Sequence, residues 1–202
     1  MSLLAPDATE PPVYYSGSLQ ILDGPAVAIV GSRAVSEDGL RRARRLAREI
    51  SLAGVTVVSG LAKGVDTAAH VAALDVGCAT VAVIGTPLEK AYPVENARLQ
   101  EQIAAEHLLL SPFAPGERVF PSNFPKRNRV MAAVTDGTVI VEAGDTSGTL
   151  HQAAECQRLG RWLFVLRSVY DDTSLEWPRR FASYERMRVV TTAEDVVGAV
   201  VR

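Results

Sequence analysis

The sequence predicts an α/β fold: a doubly wound, mainly parallel sheet with helices on both faces. Three observations lead there. Short apolar runs alternate along the chain with longer amphipathic stretches. The runs are continuously apolar, as strands buried on both faces must be, rather than alternating apolar and polar. Glycine and hydroxyl residues follow several of them directly, which is the composition of tight strand-to-helix turns.

Taken in order, the predicted strands are "AVAIV" (Ala26–Val30), "VTVV" (Val55–Val58), "TVAVI" (Thr80–Ile84), "TVIV" (Thr138–Val141) and "WLFVL" (Trp162–Leu166). The shorter runs "HLLL" (His107–Leu110) and "RVV" (Arg188–Val190) are further candidates. After the first strand, Leu40, Ala43, Leu46, Ala47, Ile50 and Ala53 fall on one face of a helix. Ser36 can cap it, Glu37 and Asp38 complement its dipole, and Gly54 ends it. Another helix begins near Thr149 and closes at Gly160. Pro125 suits the first turn of a helix running to Val134. Between Ser111 and Pro125, four prolines and a glycine break every period. That stretch is too long for an ordinary crossover loop, and ordered loops of such length commonly serve function.

A chain of 202 residues suits one domain, residues 26–202, preceded by an N-terminal arm over residues 1–25. The arm opens with "MSLLAPDATEPP", which reads as loose. The formal net charge is −2, so any pull toward nucleic acid must be local. Cys78 and Cys156 make neither a disulfide framework nor a zinc spacing. No apolar run can span a bilayer, and the N-terminus lacks the basic-then-apolar order of a signal peptide. Together these place the protein in the cytoplasm, with no membrane partner, no metal and no cofactor. Asp66 and His70 lie one helical turn apart without a third ligand, and read as a helix cap and a packed histidine.

In open α/β sheets, ligands bind beyond the carboxyl ends of the strands. The residues found there are Gly31, Ser32 and Arg33 after the first run, and Ser59, Gly60, Lys63 and Gly64 after the second. Gly85 and Thr86 follow the third run; Glu142, Gly144, Ser147, Gly148 and Thr149 follow "TVIV". Glycines let a backbone approach a phosphate, and helix N-termini point free N–H groups at it. "NFPKRNRV" then adds Lys126, Arg127, Asn128 and Arg129 at a helix start, where cations oppose the macrodipole unless an anion is bound. An anion site at one sheet edge is the expectation.

The stretches "VAIVGSR", "GVTVVSGLAKGVDTAAHVAAL", "YPVENARL", "NFPKRNRVMAAV" and "SGTL" resemble, in order and spacing, the motifs of the DNA-processing protein A family (DprA, also called Smf). The resemblance spans Ala26 to Phe164. It implies an extended Rossmann-like domain that binds single-stranded DNA, with a RecA-type recombinase as a further partner, a role in transformation and recombination, and a homodimeric state. It also implies that Arg33, Ser59, Gly60, Lys63, Lys126, Arg127, Asn128 and Arg129 hold backbone phosphates, while Phe124 stacks on a base, as a sequence-tolerant single-strand site requires. Pro87, Pro112, Leu166–Arg167 and Gln152 depart from the family pattern.

The rival reading is a nucleotide-binding sensor or a LOG-type phosphoribohydrolase acting on nucleoside monophosphates. Arg127 and Gly148–Thr149 fit that signature, but its carboxylate position is Gln152, and an amide cannot serve as a general base. No catalytic residue is therefore assigned. Arg41, Arg42, Arg44, Arg45 and Arg48 read as a solvated helix face, and Trp162 and Trp177 as packing residues.

Overall fold

The computed structural model describes residues 12–201. The opening stretch of the arm, residues 1–11, lies outside them. Eight strands form one sheet in the order β1-β5-β4-β3-β2-β6-β7-β8. They are β1 (Tyr14–Gly17), β2 (Ala26–Val30), β3 (Thr56–Ser59), β4 (Thr80–Val83), β5 (Leu108–Ser111), β6 (Gly137–Ile140), β7 (Trp162–Leu166) and β8 (Met187–Val190). Every pairing is parallel except β1 with β5, where Tyr14 lies opposite Ser111. The five predicted strands appear within a residue or two of their expected bounds, and both shorter candidates join the sheet.

The chain leaves central β2 toward β3, β4 and β5, then returns across the sheet to add β6, β7 and β8 on the other side. Right-handed crossovers therefore place the two groups of helices on opposite faces. On one face α1 (Glu37–Leu52) packs against α2 (Val65–Asp75) and α8 (Ala193–Val200). On the other, α4 (Asn123–Ala133) packs against α5 (Thr149–Arg158). Helix α3 (Ala97–Glu106) joins β4 to β5, and the short helices α6 (Arg167–Tyr170) and α7 (Trp177–Arg180) follow β7.

Burial follows the apolar runs: all five residues of β2 and all four of β4, β5 and β6 are buried. On α1 the buried set includes Ala43, Leu46, Ala47 and Ile50 of the predicted stripe, while Leu40 is half-buried and Ala53 is exposed just past the helix end. Its cap is also as expected, with Gly39 N–H donating to Ser36 Oγ at 3.0 Å. The described part of the arm lies beyond nearly all of the stretch expected to be loose. Tyr14–Gly17 adds an antiparallel edge strand, and Leu19, Ile21 and Leu22 pack on the core. "YYSG" carries no apolar run, because an edge strand buries only part of itself. Among the described residues, no helix is long and apolar enough to cross a membrane.

Candidate nucleic-acid interface

The strand order reverses at β2, between β3 and β6, and a cleft of about 850 Å³ opens beyond the carboxyl ends there. Gly31, Ser32 and Arg33 line it from the turn after β2; Ser147, Gly148 and Thr149 from the turn into α5; Phe124, Arg127 and Asn128 from α4. Nine of the sequence-predicted residues therefore meet in one concavity.

The cation cluster divides into three environments. Arg127 is buried, and its Nη1 donates to the carbonyls of Gly60 (2.6 Å) and Val83 (2.5 Å). Its Nε donates to Asn128 Oδ1 at 3.0 Å. It thus joins the ends of β3 and β4 from a helix on the opposite side of the chain's path. A Cβ on Gly60 would collide with this guanidinium, so glycine is required there for side-chain passage. Asp66, also buried, accepts the N–H groups of Gly60 (3.1 Å) and Ala62 (3.3 Å). Burial pushes its carboxyl up, while the Arg127 charge and these N–H groups pull it down. Lys126 and Arg129, by contrast, are exposed, and Arg129 Nε lies 3.4 Å from Glu155.

Helix α4 starts at Asn123, two residues before the expected Pro125. Its first N–H groups are met by loop carbonyls, Asn123 N–H to Phe120 O (3.0 Å) and Phe124 N–H to Pro121 O (3.4 Å). Among the described residues, only Lys126 sits in the first turn without an ion-pair partner, so the dipole argument for an anion applies there to one cation rather than three.

Phe124 is half-buried. A Cβ on Gly85 would fall 2.7 Å from its ring, so Gly85 is the floor on which the ring rests. Arg33 stacks on that ring at 5.4 Å, and Tyr92 sits against it with centroids 5.5 Å apart. Aromatic surface and guanidinium are therefore presented together.

Other predicted residues lie apart from the main cleft. Ser59 is buried and donates to Ile29 O at 2.6 Å. Gly64, with a φ of +80°, packs its backbone on the Ser32 carbonyl at the head of α2. Lys63 pairs with Glu95 at 2.6 Å beside a small side cavity that it shares with Gly60, Arg33 and Phe124. That exposed pair is worth little and yields readily to a competing phosphate.

Sequence reasoning missed Tyr92, Phe120 and His151, all of which line the cleft. Phe120 lay within the proline-rich stretch already singled out, and Tyr92 within "YPVEN". Nothing in the local pattern marked His151. The Asp66–His70 pair is structural: His70 is buried, with Nδ1 2.9 Å from Thr80 Oγ1. Among the described residues, no group of three or more His, Cys, Asp or Glu could hold a metal ion.

The family profile of DNA recombination-mediator protein A matches residues 3–200. The chain belongs to that family. The match extends past the Ala26–Phe164 span of the motifs at both ends and takes in β1, β8 and α8. The DNA processing protein DprA of Streptococcus pneumoniae is 39% identical over 185 residues, covering 92% of this chain and 65% of that protein. Its X-ray structure superposes with a TM-score of 0.83, over 93% of this chain and 66% of that one. Protein Smf of Synechocystis is 40% identical over 161 residues, 77% of this chain and 40% of its own. The chain thus spans less than two thirds of these relatives. A DNA processing protein A from Helicobacter pylori, solved for its single-stranded DNA binding mode, is 27% identical with a TM-score of 0.80, covering 92% of this chain and 85% of that one.

Proposed function

We propose that this protein binds single-stranded DNA in the switch-point cleft, with Arg33, Lys63, Lys126 and Arg129 holding phosphates and Phe124 stacking on a base. The observation that carries the reading is the Arg33–Phe124–Tyr92 assembly at the rim of the cleft. A guanidinium on an aromatic face offers one group to a phosphate and the other to a base, whatever the sequence. The turns Gly31–Ser32 and Ser147–Thr149 line the cleft at the ends of β2 and β6. Among the described residues, the N–H groups of Ser32, Ser147 and Thr149 donate to Glu142 O, Gly144 O and Ser147 Oγ, which leaves those of Gly31 and Gly148 to meet a ligand. The buried members of the predicted set, Ser59, Gly60, Arg127 and Asn128, together with half-buried Gly64, act by shaping this edge; Arg127 and Asn128 also form part of the cleft wall. A Helicobacter pylori relative described as binding single-stranded DNA supports the choice of ligand.

The reading extends to a place in DNA uptake and recombination, with a RecA-type recombinase as partner, a homodimeric state and a cytoplasmic location. Family membership supports these. The alternative, a mononucleotide as natural ligand, presents the same phosphate to the same donors. For hydrolysis of such a nucleotide the carboxylates are poorly placed. Glu142 accepts Ser36 N–H at 2.9 Å and Ser36 Oγ at 2.6 Å, and Glu155 is paired with Arg158 at 2.7 Å. Gln152 is buried, with Nε2 donating to Thr138 Oγ1 at 3.0 Å.

The test is a fluorescence titration with a labelled oligothymidylate, in competition with AMP and at two salt concentrations. Tight, salt-sensitive binding that AMP displaces poorly is expected. Binding that AMP abolishes at equal concentration would reassign the cleft to mononucleotides.

A further inference from the structure

We infer that Phe120 and Arg118 form a second base-and-phosphate platform on the cleft, so that the site holds at least two successive nucleotides of a strand. The inference rests on the single-strand reading above and adds to it a place for the neighbouring residue of the ligand.

Phe120 is 50% exposed, unusual for a side chain of its size and apolarity. It is not a loose loop tip. Its carbonyl accepts the N–H of Asn123, which opens α4. The segment before it is tied down at Ser111 Oγ, which donates to Thr86 O at 2.6 Å, and at Gly116 N–H, which donates to Glu89 Oε1 at 2.6 Å. Phe113 anchors the same loop in the interior. The long proline-rich stretch is thus a built arm that holds one aromatic ring against the cleft.

Arg118 stacks on that ring at 5.8 Å, much as Arg33 stacks on Phe124 at 5.4 Å. Among the described residues, no carboxylate lies within ion-pair distance of Arg118. Both rings line the same concavity, yet no ring pair joins Phe120 to Phe124 or Tyr92 among the described residues. The cleft therefore carries two separate aromatic rings, each with a guanidinium stacked on it, Arg33 inside the cavity and Arg118 just outside its lining. A polymer of alternating bases and phosphates is the ligand class that such repetition matches. At about 850 Å³ the cleft lies near the upper end of the range for small-molecule sites, which leaves room beyond one nucleotide.

The experiment measures thymidine monophosphate and a long oligothymidylate against the wild-type chain, Phe120→Ala, Phe120→Leu and Phe120→Tyr, with a melting curve for each. Loss of a base–aromatic stack corresponds to roughly a 5- to 160-fold weakening. Phe120→Ala and Phe120→Leu should show that loss on the oligonucleotide alone, with monophosphate affinity and melting unchanged. Phe120→Tyr should restore it. Wild-type oligonucleotide affinity in Phe120→Ala, or in Phe120→Leu, would overturn the second platform while leaving the proposed function in place. Equal losses on both ligands would make Phe120 a wall of a one-nucleotide site, which also overturns it. A wild-type chain that binds neither ligand would remove the proposed function and this inference together.

Discussion

Replacing Arg127 by alanine should unfold the sheet edge before it tests any ligand. The side chain is buried and bonds the carbonyls of Gly60 and Val83, with Asp66 and its opposing charge nearby. Removing the guanidinium strands two buried carbonyls. Each buried group left without its partner costs about 1–3 kcal/mol, so the two together cost about 2–6 kcal/mol. In a chain of this size each kcal/mol moves the melting temperature by about 2–4 °C, so a fall of roughly 4–24 °C is expected. Arg127→Lys should recover only part of it, because an ammonium lacks the planar fork that reaches the carbonyls and Asn128 together. The assay is thermal unfolding followed by far-UV circular dichroism, beside an oligonucleotide titration. A variant that melts like wild type but has lost binding would refute the reasoning, and would make Arg127 a ligand clamp rather than a strut.

Other perturbations separate the remaining roles. Lys126→Ala should weaken binding of all strand sequences about equally, by about 1.5–3 kcal/mol, with melting essentially unchanged; a sequence-dependent loss in a binding panel would contradict a phosphate contact. Purine nucleoside monophosphates should release no free base on incubation, because Gln152 is a buried amide held by Thr138; base detected by chromatography at an enzymatic rate would reverse this. His70 carries a pH effect. Burial, with the charges of Arg127 and His107, lowers its pKa to about 3, against an unfolded value of 6.5. The unfolded chain therefore takes up the proton first, so stability should fall as pH drops from about 6.5 toward 3. Denaturant titrations across that window check it, and His70→Gln should flatten the dependence.

Most of the sheet was legible because its chemistry is local. A strand buried on both faces must be continuously apolar, and β2, β4, β6 and β7 announce themselves that way. Strand β1 was hidden because its burial comes from a partner far along the chain, with Tyr14 opposite Ser111. The site divides similarly. Glycines and hydroxyls after each strand can be placed at one edge by topology alone, and five of the nine residues that meet in the cleft, Gly31, Ser32, Ser147, Gly148 and Thr149, are of this kind. The fate of Arg127 cannot be read in this way, since no spacing shows that Gly60 leaves a passage for its guanidinium from another helix. One charged cluster in sequence therefore became a strut, a surface pair with Glu155 and a free cation at a helix start.

The most direct test of the cleft as a single-strand site is backbone amide chemical-shift mapping with an oligothymidylate. The largest shifts should fall on Gly31–Arg33, Phe124 and Ser147–Thr149, at the carboxyl ends of β2 and β6, and should fade as salt is raised. Shifts centred instead on Arg161, Trp162 and Arg186, which line a separate cavity at the amino ends of β7 and β8, would contradict the account.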